Sequence, residues 1–164
     1  MRIPVDVKLD YLTLKLDLAN ETAKAAASRI YERECGASLR DLRLMRFIGT
    51  EPGLTLTRLI ERASLEKTLA SKAITTLVER GWVTRSVGAH DARHISLQLT
   101  DAGESVILQA DPIGRLMEET LLRRLNAEEL VVFKRCLEKL LVTGREMSAS
   151  PEDLLNRVKK EPAL

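Results

Sequence analysis

The chain has 164 residues, 45% hydrophobic and 30% charged, which supports a folded core and excludes wholesale disorder. Aromatic residues make up only 3%, so stacking platforms for single-stranded nucleic acid are poorly supplied and a leucine-rich helical core is expected. The net charge of +2 neither demands nor excludes a nucleic-acid partner, and the two cysteines, Cys35 and Cys136, form neither a metal-type cluster nor a secreted disulfide framework.

Residues 1 to 10 carry charges throughout and lack the apolar region of a signal peptide. No apolar run approaches the roughly 20 residues that span a bilayer, so a cytoplasmic protein without a membrane partner is expected. Pro4 discourages early helix, and the alternation of Ile3, Val5 and Val7 permits an extended arm. From Tyr11 to Cys35 the sequence reads as a helix too rich in leucine and alanine for one narrow stripe, and it therefore needs more than one partner. Gly36 ends it.

Ser38 with Asp41 three residues later resembles a capping box that opens a second helix, Leu39 to about Thr50. Leu42, Met45 and Ile48 point inward, while Arg40, Arg43 and Arg46 recur at threes on another side. Such a stripe is either a solvated face or a contact for phosphates or an anionic ligand. Pro52-Gly53 signals a turn, and Thr55 caps a third helix, Leu56 to about Ala63. A short link, Ser64-Leu65, leads to a fourth helix capped by Glu66, with Leu69, Ala73, Leu77 and Val78 forming its apolar side and Gly81 ending it. Helix, tight link, helix is helix-turn-helix spacing.

Two strand-like runs follow, Trp82 to Val87 and Arg93 to Leu99, joined by residues 88–92. Ile95, Leu97 and Leu99 alternate with polar residues, the periodicity of a half-buried strand. Thr100 caps a long helix in which Pro112 predicts a kink or break, with helical character resuming from Arg115 to Leu125. Asn126 with Glu129 forms a second capping signal for Ala127 to about Met147, with Leu130, Phe133, Leu137, Leu140 and Leu141 on one face. A short amphipathic tail, Leu154 to Lys160, closes the pattern.

The predicted fold is mainly α with a small β-hairpin wing: a winged helix-turn-helix flanked by N- and C-terminal dimerisation helices. The expected divisions are 1–37, arm and first dimerisation helix; 38–100, winged DNA-binding unit; 101–147, C-terminal dimerisation helices; and 148–164, tail. Apolar helices beyond what the central unit can cover predict a twofold homodimer. Its recognition helices would lie roughly 34 Å apart on double-stranded DNA.

The chain is similar to the MarR family of winged-helix transcriptional regulators over about residues 12 to 145. The resemblance rests on Leu54-Thr55, on Leu77-Val78-Glu79-Arg80-Gly81-Trp82-Val83, on Asp91-Ala92-Arg93, and on Leu97-Gln98-Leu99-Thr100 with Gly103. It implies that the Lys67 to Arg80 helix enters the major groove. Lys67, Thr68, Ser71, Lys72, Thr75 and Arg85 are the expected DNA contacts there. Hydroxyls and amides at the helix start suit phosphates and base edges, and Lys72 stands where the family commonly has arginine. The motif also implies that Arg93, steadied by Asp91, reaches the minor groove, although Ala92 departs from a second arginine. By the same resemblance a small anionic aromatic inducer binds between the dimer helices and the winged unit; Arg40, Arg43 and Arg46 with Tyr11 or Tyr31 are the pocket candidates, and a repressor is expected.

Competing readings are specific. His90 and His94 flank Asp91, but a hairpin does not align them on one helical face and no third ligand is near, so no metal and no cofactor are expected. Cys35 raises a redox-sensing regulator as an alternative, while Cys136 is expected in the core. No catalytic constellation is present, so an enzyme is not expected. A winged-helix module that binds protein rather than DNA is the remaining alternative, and the cations Lys67, Lys72, Arg85 and Arg93 weigh against it.

Overall fold

The structure, a computed structural model, describes residues 9–88 and 91–160, with the side chains of 87–94, 154, 157, 158 and 160 outside that description. The expected arm up to residue 8 and His90 fall outside the described residues. Two compact units are present, Met1–Glu118 and Glu119–Leu164.

The first unit contains α1 (Leu12–Cys35), α2 (Leu39–Thr50), β1 (Leu54–Thr55), α3 (Leu56–Ala63), α4 (Lys67–Glu79), β2 (Val83–Gly88), β3 (Asp91–Leu99) and most of α5 (Asp101–Leu122). Local chemistry sets nearly every boundary. Gly36 ends α1 at φ 61°, a left-handed conformation that glycine adopts without a Cβ penalty. Ser38 and Asp41 form a reciprocal capping box on α2. Thr55 accepts the Arg58 amide at the start of α3. The end of α4 is a Schellman turn, in which the Gly81 amide meets the Val78 carbonyl and the Trp82 amide meets the Leu77 carbonyl.

The sheet has the order β1-β3-β2 and is antiparallel throughout. β1, not anticipated as a strand, pairs Leu54 with Leu97, so the wing is anchored to the segment before α3. β2 pairs Val83 with Leu99 and Arg85 with Leu97, with a register shift at Val87/Gly88.

The core divides into two clusters. One packs Leu44, Met45 and Ile48 of α2 against Leu59 and Ala63 of α3, Ile74 and Leu77 of α4, and Val83 and Leu97 of the sheet. The second joins Ala27, Tyr31 and Cys35 of α1 to Leu42 of α2 and Ala110 of α5, with Trp82 at its edge. The last turns of α1 and the middle of α5 thus share a core with the winged elements.

Two expectations about this first unit need correction. Leu69 is 48% exposed, and the buried face of α4 is Ala70, Ala73, Ile74 and Leu77. That set follows the i, i+3, i+4, i+7 rhythm of one helical face, which leaves Leu69 on the flank. Of the kink or break expected at Pro112, the break is absent: α5 runs as one helix to Leu122. Proline removes one backbone hydrogen bond, and Ala110 and Ile113 on either side are held in the second cluster.

The second unit contains α6 (Ala127–Ala149) and α7 (Pro151–Lys160). Asn126 and Glu129 form the predicted capping box. No residue of α6 is buried; Leu130, Phe133 and Leu137 are half-covered, and Leu140 and Leu141 are exposed. Cys136, expected in the core, is exposed, on a helix with no buried residue. No helix among the described residues is long and apolar enough to cross a membrane.

Candidate nucleic-acid interface

α4 starts at an acidic cap. The Glu66 carboxylate accepts the amides of Thr68 at 3.0 Å and Leu69 at 3.2 Å. These bonds, with the Thr68 hydroxyl beside the same carboxylate, hold its pKa below the ordinary glutamate value. The amides expected to receive phosphate are therefore already occupied. A negative charge also sits at the positive end of the helix dipole.

Beyond the cap, Thr68, Lys72 and Thr75 recur at i, i+4 and i+7 and share one outward face, opposite the buried set. Lys67 and Lys72 have no carboxylate partner among the described residues, so their charges are available to phosphates. Arg85 of β2 donates to the Thr75 hydroxyl at 2.8 Å, and that hydroxyl donates to the Ser71 carbonyl at 3.0 Å. The structure thus joins Thr75 of α4 to Arg85 of β2 across the turn between helix and wing, on the face that Thr68 and Lys72 share. The backbone of Asp91 and Arg93 lies in β3, while their side chains are outside the described residues.

Other arginines near this surface are committed elsewhere. Arg58 and Arg62 both engage Glu51, at 3.1 and 2.6 Å. Arg80, just past α4, stacks 3.7 Å from the Trp82 ring centroid, donates to the Gly36 carbonyl and lies 3.9 Å from Asp41. It ties the end of α4 to the α1–α2 joint, a role that sequence reading missed because Gly36 is 44 residues away.

The arginine stripe of α2 lines a groove of about 760 Å³ against α1, together with Asn20, Lys24, Ser28 and Phe47. Arg40 and Arg43 are exposed in it and have no ion-pair partner among the described residues. Arg46 reaches beneath to Tyr31, donating to its hydroxyl at 3.4 Å. Tyr31 is buried under the groove rather than lining it, and Tyr11 is exposed and does not line it. Gly114 makes room for this pair: a Cβ there would stand 2.7 Å from the Tyr31 hydroxyl. Cys35 is buried, and its thiol is pushed up by desolvation and by Glu34, against the opposing pull of Arg46. That environment favours an inert packing thiol over a redox sensor.

Comparison with known proteins places these features in a family. A sequence profile of the MarR family matches residues 36–94, the segment from the α1–α2 joint into β3. The transcriptional regulator HosA of Escherichia coli is 36% identical over 100 residues, covering 61% of this chain and 74% of that protein. The MarR family protein Rv2887 of Mycobacterium tuberculosis, solved in complex with p-aminosalicylic acid, superposes with a TM-score of 0.64 at 25% identity. That match covers 79% of this chain and 98% of Rv2887. MepR of S. aureus, solved as a DNA complex, shares the fold with a TM-score of 0.71 at 19% identity, over 81% and 96% of the two chains. With a winged helix-turn-helix carrying free cations on its exposed helix and with these relatives, the chain belongs to the MarR family of transcriptional regulators, not to a family of enzymes.

Proposed function

We propose that the protein is a homodimeric repressor that binds a near-palindromic operator and is released by a small anionic aromatic compound. The observation that carries the DNA contact is the outward face of α4, where Thr68, Lys72 and Thr75 align and Arg85 bridges from the wing. Lys67 and Lys72 meet phosphates, Ser71 offers its hydroxyl near the helix start, and Arg93 steadied by Asp91 enters the minor groove. A second copy of the chain would cover the exposed apolar residues of α6 and present two such faces to the half-sites. The ligand would sit in the α1–α2 groove, where Arg40 and Arg43 supply cations and Phe47 an aromatic wall. MepR in its DNA complex and Rv2887 with p-aminosalicylic acid support the two halves of this reading. To repress and release, the compound must bind the DNA-competent and released states unequally.

Fluorescence anisotropy on the protein's own upstream DNA against random DNA, at two salt concentrations, tests it. Preferential, salt-sensitive binding that Arg93→Ala weakens by about 1 kcal/mol or more is expected for a groove contact. Absence of binding to any duplex at low salt would remove the DNA reading. Arg43→Ala separates the roles of the stripe: a pocket role predicts lost p-aminosalicylic acid binding with an unchanged salt slope, a phosphate role the reverse.

A further inference from the structure

Two threonines of α4, Thr75 and Thr76, bond their hydroxyls back to their own helix. The Thr75 hydroxyl gives its one proton to the Ser71 carbonyl and takes the Arg85 guanidinium on a lone pair. Thr76 likewise donates to the Lys72 carbonyl at 3.2 Å. Thr75 and Thr76 are exposed, and with the oxygen bonded back to the helix the γ-methyl is the part of each side chain left without a polar partner. Leu69, 48% exposed on the flank of the same helix, adds a larger apolar side chain. A helix framed by Lys67 and Lys72 therefore presents methyl groups where hydroxyl donors are expected from sequence.

We propose that α4 determines specificity by reading the 5-methyl group of thymine through the γ-methyl of Thr75, with Arg85 as the positioning residue that keeps the Thr75 hydroxyl out of the groove. In the major groove, thymine presents an O4 acceptor and a methyl group, and apolar contact with that methyl is a recognised means of discrimination. A threonine hydroxyl free to rotate would instead donate to or accept from base edges and tolerate several bases. Locked by two bonds, Thr75 offers chiefly its methyl. This inference rests on the reading of α4 as the groove-entering helix and adds what that helix reads.

The test uses the full chain and a duplex that it selects from a random-sequence pool. Each thymine of the selected site is replaced in turn by deoxyuridine, which lacks only the methyl, and affinity is read by anisotropy. For wild type, one thymine per half-site should lose about fourfold in affinity on replacement, the scale of one buried methyl. Thr75→Ser, which keeps the hydroxyl bonds, should lose a similar factor on the thymine duplex and be indifferent to deoxyuridine at that position. Thr75→Val, which keeps outward methyls, should remain sensitive. Arg85→Met should weaken discrimination between thymine and deoxyuridine at that position beyond any general loss of affinity. Tight binding of a selected duplex with no sensitive thymine, or with Thr75→Ser as sensitive as wild type, overturns the proposal while leaving the DNA reading intact. Failure of the pool to yield any bound duplex overturns both.

Discussion

Gly103 shows how a single residue can be required by a neighbour that sequence does not name. Thr100 holds the start of α5 against the end of α4, its amide meeting the Trp82 carbonyl at 3.1 Å and its hydroxyl meeting the Gly81 carbonyl at 2.6 Å. A Cβ at Gly103 would lie 2.1 Å from the Trp82 carbonyl oxygen, a backbone atom that cannot swing aside. Gly103→Ala should therefore lower stability by about 1–3 kcal/mol, as overpacking does, and chemical denaturation would measure it. Glu66 gives a second residue-scale prediction. Its carboxylate is held below the usual range by the Thr68 and Leu69 amides, so its capping contribution is complete above the ordinary glutamate pKa and is lost as pH falls through the depressed folded value. The stability difference between wild type and Glu66→Ala should be full at neutral pH and shrink on acidification below that range. A pH-invariant difference in thermal unfolding would contradict it.

At the scale of elements, the helix-turn-helix depends on a left-handed residue that is not glycine. Ser64, between α3 and α4, sits at φ 49° and ψ 47°, with its amide on the Glu61 carbonyl and the Leu65 amide on the Ile60 carbonyl. This is the same turn that Gly81 makes after α4, built here at a steric cost. Ser64→Gly should raise stability by about 0.5–1 kcal/mol in urea unfolding, because relief of the left-handed penalty outweighs the added freedom of the unfolded chain. A bulky β-branched substitution, Ser64→Val, should lower it. The capping signals at Ser38, Thr55, Glu66 and Asn126 were all legible, because an N-cap is written within four residues. The two-residue β1 was not legible, since Leu54 becomes a strand only by pairing with Leu97.

For the whole molecule, the exposed apolar residues carry the expectation of a second copy. α6 leaves Val131, Leu140, Leu141 and Val142 exposed, and α1 leaves Leu12 and Leu18 exposed. If these face a partner protomer, Leu140→Lys with Leu141→Lys should shift the protein from dimer to monomer in sedimentation. DNA affinity should fall with it, because one half-site contact replaces two. Unchanged mass with unchanged operator affinity would place the dimer contact elsewhere.

What the sequence by itself determined is what short-range chemistry writes: the helices and their caps, the alternating strand of the wing, and the motif order that resembles the MarR family. Periodicity and capping act between residues a few positions apart, so they survive in a single sequence. Tertiary structure decided which of those residues remain available. Arg80 is withdrawn to Gly36 across 44 residues, and Arg85 is joined to Thr75 across 10 while its side chain stays exposed. Leu69 leaves the core because Ala70 and Ile74 take the buried face, and α5 passes through Pro112 because the residues around it are packed. Each outcome depends on a partner brought close by folding, and a side chain used inside the protein cannot be told from a free one until that partner is in place.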